Sequence, residues 1–377
     1  MKNNLYYFFA FGFMMGRFLL SVFAILFSVA ACKSEIPDQE EIVISPIDSL
    51  ILERVGTFSW VLDEESVPQT RCAFFCADSG ILYFFNDITG KIDKYSLNSK
   101  NRISGVKIPV KPWSMNVVSE DSVYVLDLDN SRIVLIDASG KVVDSTMIDK
   151  NSNFLPGGSG QPYVIDCNIM AYVASNTRLR HTTFMIDKET QKSESYIPYP
   201  GMYEKFYGLL LMQVPYSAYN PQKKCIVVGF APESSIYIMD TDTHNVEKYH
   251  VESTFYKTLT PLKDDRWGKN VSSSDEIEYF RENTTYANIL YDEYRNLYYR
   301  IVEIATPMPG ITLTNIAKKL SVIIMDADFR IVGESVIEEK MMASFRYTCF
   351  VSEQGLNLQL LTSEDKLSFV TYKIMEK

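Results

Sequence analysis

The side chains of this sequence that could do chemistry are spread widely along the chain. Arginine forks and aromatic rings suit the binding of carboxylates or sugars. The candidate ligand-binding residues are Arg178, Arg180, Trp267, Arg281, Tyr299 and Arg300. His181 directly follows the first arginine pair. We predict that these residues contribute to a recognition surface, and the alternative for each is a surface charge or a ring packed in the core.

Three histidines, His181, His244 and His250, offer little for metal or acid–base chemistry. His244 and His250 flank one expected strand beside acidic residues, so strand geometry makes a shared three-histidine site improbable. No Gly-x-Ser-x-Gly elbow, His-Glu-x-x-His motif or phosphate-binding glycine loop occurs in the sequence. Residues 157–160 are glycine-rich but precede a strand, which indicates a loop. We predict no metal and no cofactor.

Catalysis by paired carboxylates remains open, because such pairs can come from strands that are distant in sequence. The Ser-x-Asp-x-Gly-x-x-Trp turns typical of sialidase propellers are absent. An enzyme is therefore unsupported by any motif, and the sequence favours a non-catalytic protein without deciding the question.

Five cysteines follow Cys32, an odd number without metal-ligand spacing: Cys72, Cys76, Cys167, Cys225 and Cys349. The first two lie in the apolar segment RCAFFC, which predicts a buried strand with hydrophobe-like thiols. A Cys72–Cys76 disulfide is the alternative in an oxidising compartment.

The segment 1–31 has the order of a signal peptide. Lys2 and Arg17 are its only charges, and an apolar run of 14 residues over 18–31 follows them. A membrane-spanning helix needs about 20 apolar residues, so a joined anchor over 5–31 is the less favoured alternative.

The end of this leader, Val29-Ala30-Ala31-Cys32, resembles the bacterial lipobox. The resemblance implies that Cys32 carries lipid and begins the mature chain, anchored more firmly than by a single acyl chain. Residues 32–48 are acidic and contain prolines, which predicts a flexible tether before a domain over 49–377. Lys33 resembles the sorting signal of outer-membrane lipoproteins, and either a surface or a periplasmic orientation fits.

The charge of the mature chain restricts its partners. Without the leader, 35 basic residues face 47 acidic residues, for a net charge of −12. This balance disfavours nucleic acid and anionic lipid surfaces, which need a basic face. The lipid anchor is then the expected contact with the membrane, and an envelope protein or glycan is the expected partner.

An internal repeat predicts the elements that must position all these residues. At an offset of 41, Tyr83 aligns with Tyr124 and Ile92 with Ile133 within alternating strands separated by polar turns. Looser copies bring the total to six units, and residues 50–62 can supply the strand that the last unit lacks. We predict an all-β fold, a β-propeller of six blades. Five or seven blades are alternatives, and a β-sandwich is less favoured.

Two local patterns complete the picture. An aspartate ends a central strand in four units, where it should cap a turn through its side chain: Asp137, Asp187, Asp240 and Asp326. Residues 252–285 do not fit the repeat. Serines followed by Asp275 and Glu276 predict a short helix within this insertion.

The segment 283–304 is similar to a family of Bacteroidetes lipoproteins that share a domain of unknown function with propeller character. The residues that carry the resemblance are Tyr286, Tyr291-Asp292, Tyr294-Arg295 and Tyr298-Tyr299-Arg300. The resemblance implies the same fold and the same cellular location, and it implies no activity and no site residues. We therefore expect an envelope lipoprotein that binds a protein, peptide or glycan, with a glycan-active hydrolase or lyase as the alternative.

Overall fold

The computed structural model describes residues 39–148, 154–155, 162–166, 169–176, 181–266, 268–306, 318–338, 341, 345–360 and 362–377. Residues 40–377 form one compact unit. Its strands build six sheets, so the prediction of an all-β propeller with six blades is confirmed.

The chain enters the described structure through two strands that belong to late blades, and then builds blades 1 to 3. The two entering strands are β1 (Glu41–Ile42) and β2 (Leu50–Val61). Blade 1 consists of β3 (Ala73–Cys76), β4 (Ile81–Asn86), β5 (Lys91–Ser96) and β6 (Arg102–Lys107). Blade 2 consists of β7 (Ser114–Ser119), β8 (Ser122–Asp127), β9 (Arg132–Ile136) and β10 (Val142–Met147). Blade 3 consists of β11 (Phe154–Leu155), β12 (Pro162–Val164), β13 (Ile169–Asn176), β14 (His181–Asp187) and β15 (Ser193–Ser195).

Blades 4 to 6 follow the same antiparallel pattern. Blade 4 consists of β16 (Pro215–Asn220), β17 (Cys225–Phe230), β18 (Ser235–Asp240) and β19 (Val246–His250). Blade 5 consists of β20 (Thr285–Asp292), β21 (Leu297–Ile304), β22 (Lys319–Met325) and β23 (Ile331–Ile337). Blade 6 consists of β24 (Phe350–Ser352), β25 (Gly355–Leu360), β26 (Lys366–Glu376) and β2. The described residues also form two short helices, α1 (Ser273–Glu282) and α2 (Phe345–Thr348).

The ring closes through the pairing of the first long strand with the last. Strand β2 runs antiparallel to β26, with Leu50 opposite Glu376 and Trp60 opposite Leu367. The expectation that residues 50–62 complete the last unit is thus confirmed. Trp60 is fully buried, so closure also fills the space between blades 6 and 1.

The residues before β2 run across the outer strands of blades 4 and 5. Strand β1 pairs in parallel with β19, and the Ile47 amide donates to the Ile331 carbonyl at 2.8 Å. Gly333 permits this crossing, because a Cβ there would lie 2.0 Å from the Leu50 carbonyl oxygen. Residues 41–49 are therefore attached to the propeller. Residues 32–38 of the expected tether, with Cys32, lie outside the described residues.

The apolar core is divided among the interfaces between blades. Strand alternation places side chains on both faces of each sheet, and the apolar clusters join successive blades around the ring. Burial of apolar surface, at about 25 cal/mol per Å², therefore stabilises blade–blade packing.

Turn chemistry follows the sequence closely. All four predicted aspartates accept backbone amides of their own turns, as Asp240 does from Asp242 at 2.9 Å and Thr243 at 2.6 Å. The expected helix is α1. Its N-cap Ser272 accepts the Asp275 amide, and the Asp275 carboxylate accepts the Ser272 amide in return.

The insertion containing α1 packs against the connection between blades 3 and 4. Phe280 of α1 joins an apolar cluster with Tyr207, Met212 and Leu259. A β-bridge between Phe206 and Lys263 ties the two segments together. None of the helices in the described part of the chain is long and apolar enough to cross a membrane.

The alternative of a Cys72–Cys76 disulfide is wrong, since both thiols are free. In extended chain, residues four apart are separated by about 13 Å, well beyond the range of about 7 Å that a disulfide can bridge. Cys72 is buried as predicted, whereas Cys76 and the rest of β3 are only half-buried, so the prediction of a fully buried strand is wrong there. Cys225 and Cys349 are buried. Cys167 and residues 157–160 lie outside the described residues.

Candidate functional site

The inner strands of the blades surround a central channel with a cavity volume of about 330 Å³. Residues of β3, β7, β12, β16, β20 and β24 line it, so every blade contributes. In a propeller, the channel is where loops and inner strands of all blades meet, and here it is the principal candidate site.

Aromatic rings dominate the channel wall. The lining rings are Phe74, Phe75, Trp113, Tyr163, Tyr219, Tyr291, Tyr294, Tyr347 and Phe350. Phe75 and Phe350 stack across blades 1 and 6 with centroids 4.4 Å apart. Such walls bind ligands that present an apolar face.

One mouth of the channel is acidic. Asp78 follows β3 and Glu293 follows β20, and both line the cavity. Desolvation, and then the nearby charges of Asp78 and Asp292, raise the pKa of Glu293. Desolvation, and then Glu293 and Glu353, raise the pKa of Tyr294 to about 12. These shifts show that carboxylates of blades 1, 5 and 6 share one negative field.

A buried carboxylate shapes this mouth. Asp292 accepts the backbone amides of Tyr294 and Arg295 at 3.1 Å, and the Tyr299 hydroxyl at 2.7 Å. The turn that it holds projects Glu293 and Tyr294 toward solvent. Arg295 donates to Asp292 and to the carbonyl of Glu353 in blade 6, which fixes the two blades relative to each other.

Among the residues that line the channel, the buried polar atoms without a hydrogen-bond partner in the described part of the chain include Asn288 Oδ1, Ser114 Oγ and Arg71 Nε. Asn288 is 4% exposed and Ser114 is 7% exposed. The Asn288 amide is oriented because Nδ2 donates to the Arg346 carbonyl and to Cys349 Sγ at 2.9 Å. Its oxygen is therefore left as an acceptor without a donor among the described residues.

The two arginines that line the channel already have anionic partners. Arg71 pairs with Asp87 at 3.2 Å and lies over the Trp113 ring at 4.9 Å. Arg346 forms a buried ion pair with Glu303. Each arginine therefore has its charge balanced by a carboxylate of the protein, although Arg71 Nε lacks a hydrogen-bond partner among the described residues.

Three of the ligand-binding residues predicted from the sequence lie away from this channel: Arg281, Tyr299 and Arg300. Tyr299 and Arg300 are fully buried, with Tyr299 bonded to Asp292 and Arg300 to backbone carbonyls of blade 4. Arg281 ends α1 beside Glu278 and Glu282. These three do not line the cavity. Arg178, Arg180 and Trp267 lie outside the described residues, so their ligand-binding role stays a prediction.

The channel residues that sequence reasoning missed lie on inner strands and in the turns that follow them: Asp78, Ser114, Asn288, Glu293 and Tyr294. The sequence signal that could have indicated Asp78, Glu293 and Tyr294 is their position in the turn after the first strand of a repeat unit. In the described ranges, no group of three or more His, Cys, Asp or Glu residues could hold a metal ion.

Fold and channel together define a six-bladed β-propeller with an aromatic central channel. The chain belongs to the family of the domain of unknown function DUF4221, whose sequence model matches residues 57–336. Its fold resembles a DUF4221 family member from Bacteroides vulgatus at a TM-score of 0.74 and 20% identity. That match covers 88% of this chain and 99% of the other.

A second similar structure is a protein from Bacteroides fragilis described as exported, with a TM-score of 0.55 and 8% identity. It is matched over 89% of this chain and 100% of the other. No curated protein matches the sequence. At these identities the solved structures support the fold and leave the ligand to the chemistry of the channel.

Proposed function

We propose that this protein is a non-catalytic binding module of the cell envelope, which captures a protein, peptide or glycan in its central channel. The observation that carries the proposal is the aromatic wall combined with buried polar atoms of lining residues, Asn288 Oδ1 and Ser114 Oγ among them, that lack partners among the described residues. Buried polar groups normally have partners, so a ligand that supplies hydrogen bonds would complete this wall.

The proposed location is the outer membrane, with the propeller on the cell surface or the periplasmic face. It is supported by the lipobox at Val29–Cys32, and a structural neighbour is described as exported. We expect labelled palmitate to enter the wild-type protein and not Cys32→Ser, which should also leave the detergent phase. Equal labelling of the two proteins would contradict lipid attachment at this residue.

Blocking the channel should abolish capture. Val118 lines the cavity and is 53% exposed, so Val118→Trp adds bulk inside the channel without overpacking the core. We expect at least a tenfold loss of partner capture from detergent-solubilised envelope extracts, measured by quantitative mass spectrometry of proteins and released glycans.

Val143→Trp is the matched control, because Val143 is 52% exposed on the outer strand of the same blade. The control should capture the partner as well as wild type does. Equal capture by all three proteins would place the binding surface outside the channel.

A glycan-active hydrolase or lyase is the second candidate. The observation that favours it is the pair Asp78 and Glu293 at one channel mouth, where the pKa of Glu293 is raised by desolvation and by Asp78. A raised carboxyl pKa suits a general acid. Turnover of an envelope glycan that is lost in Glu293→Gln and retained in Glu64→Gln would replace the binding function with this one.

A further inference from the structure

We propose that the channel receives an alkylammonium group on an apolar stem, presented as a lysine side chain of a peptide segment. This inference rests on the proposed binding function and specifies the ligand of the same site. It derives from three features: an uncompensated acidic mouth, exposed aromatic rings beside it, and polar atoms in the channel wall that lack partners among the described residues.

The acidic mouth lacks counter-charges of its own. Within the described residues, Asp78 and Glu293 form no ion pair and no side-chain hydrogen bond. The nearest arginine in sequence, Arg295, is committed to Asp292 at 3.0 Å and to the carbonyl of Glu353. An incoming cation would therefore meet two carboxylates that no described side chain neutralises.

The rings at this mouth suit the same group. Tyr294 is 41% exposed and adjoins Glu293. Tyr291 is the penultimate residue of β20 and also lines the channel. Ammonium groups are attracted to aromatic faces, by about 0.5–1 kcal/mol at exposed sites and more where water is excluded. Carboxylates and rings together favour an ammonium over a neutral ligand of equal size.

Polar atoms of the residues that line the channel are the reason to propose a peptide rather than a free amine. Asn288 Oδ1 and Ser114 Oγ stand on inner strands of blades 5 and 2, each more than nine-tenths buried. Asn288 Oδ1 can only accept, so it suits an amide N–H of the backbone that carries the lysine. Phe74, Phe75 and Tyr347 line the same cavity and offer apolar surface to the stem of the lysine.

Other ligand classes fit less well. A bound anion would meet two arginines that are already paired with carboxylates, Arg71 with Asp87 and Arg346 with Glu303. A divalent cation would need more oxygen ligands than the mouth offers, and the described residues contain no metal-binding group of three. The net charge of −12 on the mature chain further favours approach of a cationic segment.

The test uses acetylated, amidated tripeptides Tyr-Lys-Tyr, Tyr-Leu-Tyr and Tyr-Glu-Tyr as probes, with cadaverine as a free amine. Titration calorimetry of the mature protein in low salt should show the lysine peptide binding at least tenfold more tightly than the other two. Asp78→Asn/Glu293→Gln should weaken it by at least tenfold, and added salt should weaken wild-type binding.

Glu64→Gln/Glu364→Gln is the matched control, since it removes the same charge from exposed residues that do not line the cavity. It should bind like wild type. Circular dichroism of both double variants checks that the fold is retained.

The outcomes separate this inference from the proposed function. Equal or tighter binding of the leucine or glutamate peptide, or full binding by Asp78→Asn/Glu293→Gln, overturns the cationic ligand. Cadaverine binding as tightly as the lysine peptide overturns the peptide source. If no probe binds while Val118→Trp still loses capture, the cationic ligand fails and the channel function stands. If Val118→Trp also captures normally, both fail.

Discussion

Arg300→Met should destabilise the propeller by about 4 kcal/mol, a large part of the roughly 5–15 kcal/mol that folded domains usually retain. Arg300 lies on β21 and is fully buried. Methionine keeps the apolar stem of the side chain but removes the guanidinium, with its charge and all its donors. The loss should therefore combine the broken hydrogen bonds with the space that the guanidinium leaves empty.

The guanidinium joins blade 5 to blade 4. It donates to the carbonyls of Val251 at 2.8 Å, Glu233 at 2.6 Å and Ser234. It also lies 3.6 Å from the centroid of the Tyr286 ring. Each carbonyl left without a donor costs about 1–3 kcal/mol, and methionine supplies none. The Ser234 carbonyl still accepts the Val251 amide at 3.3 Å, so the largest cost is expected at the other two carbonyls.

Burial lowers the pKa of Arg300 to about 10, which leaves the group charged at neutral pH. The charge is compensated by carbonyl dipoles and by the nearby Glu233. Substitution by lysine should recover only part of the stability, because an ammonium lacks the planar fork that reaches several carbonyls at once.

Urea unfolding followed by tryptophan fluorescence measures the effect. Arg54→Met is the matched control, because Arg54 is an exposed arginine on strand β2, and its free energy of unfolding should change by less than about 1 kcal/mol. If Arg300→Met proves insoluble, Arg300→Lys still gives a measurable loss. Wild-type stability in both Arg300 variants would show that the carbonyl contacts contribute nothing.

The residue types of Tyr299 and Arg300 predicted a ligand site, whereas the structure uses both side chains for contacts within the protein. A Tyr-Arg pair has the same chemistry whether it binds a carboxylate from outside or groups of its own chain. Tyr298 accepts Asn220 Nδ2 at 2.7 Å, and Tyr299 donates to Asp292. The segment that carried the family resemblance is therefore the part of blade 5 that holds blades 4 and 6, a role that only tertiary contacts reveal.

The fold was more predictable than the site because its signals are local. Strand alternation, the repeat offset and the turn aspartates each depend on neighbours in sequence. Closure by β2 followed from counting strands in the last unit. The attachment of residues 41–49 to blades 4 and 5 could not be predicted, since its hydrogen bonds join backbone groups from opposite halves of the chain.

The channel could not be assembled from sequence for a related reason. Asp78 belongs to blade 1 and Glu293 to blade 5, so the two are far apart in sequence and blade 6 lies between them in the ring. Asn288 is distinctive only because its oxygen lacks a partner among the described residues, which sequence does not show. A propeller brings residues from every inner strand together, so the site exists only in the closed ring.

The second large effect that we expect is a pH dependence caused by Lys318. Its burial should lower the free energy of unfolding of the wild-type protein more and more as the pH falls from about 10.5 to about 7. Lys318 is 4% exposed, donates to the Asn283 carbonyl at 2.7 Å and lies 3.9 Å from the Phe280 ring centroid. Desolvation lowers its pKa to about 7, with Glu303 opposing and Arg346 reinforcing the shift.

The sign follows from proton uptake. At high pH, both folded and unfolded chains hold a neutral amine. As the pH falls, the unfolded lysine takes up its proton near pH 10.5, while the buried amine stays neutral until about pH 7. The unfolded state is favoured over that interval, by several kcal/mol at about 1.4 kcal/mol per pKa unit.

Lys318→Met removes this titration and keeps the stem that packs on Phe280. The variant should therefore gain stability relative to wild type as the pH falls from 10 to 7, and the gain should be constant below 7. Urea unfolding at pH 6.5, 7.5, 8.5 and 9.5 measures it, with Lys319→Met as control because Lys319 is the exposed neighbour paired with Glu338 at 3.2 Å. A difference between wild type and Lys318→Met that stays constant from pH 7.5 to 9.5 would show that Lys318 is charged in the folded protein, held by Glu303 and the Phe280 ring.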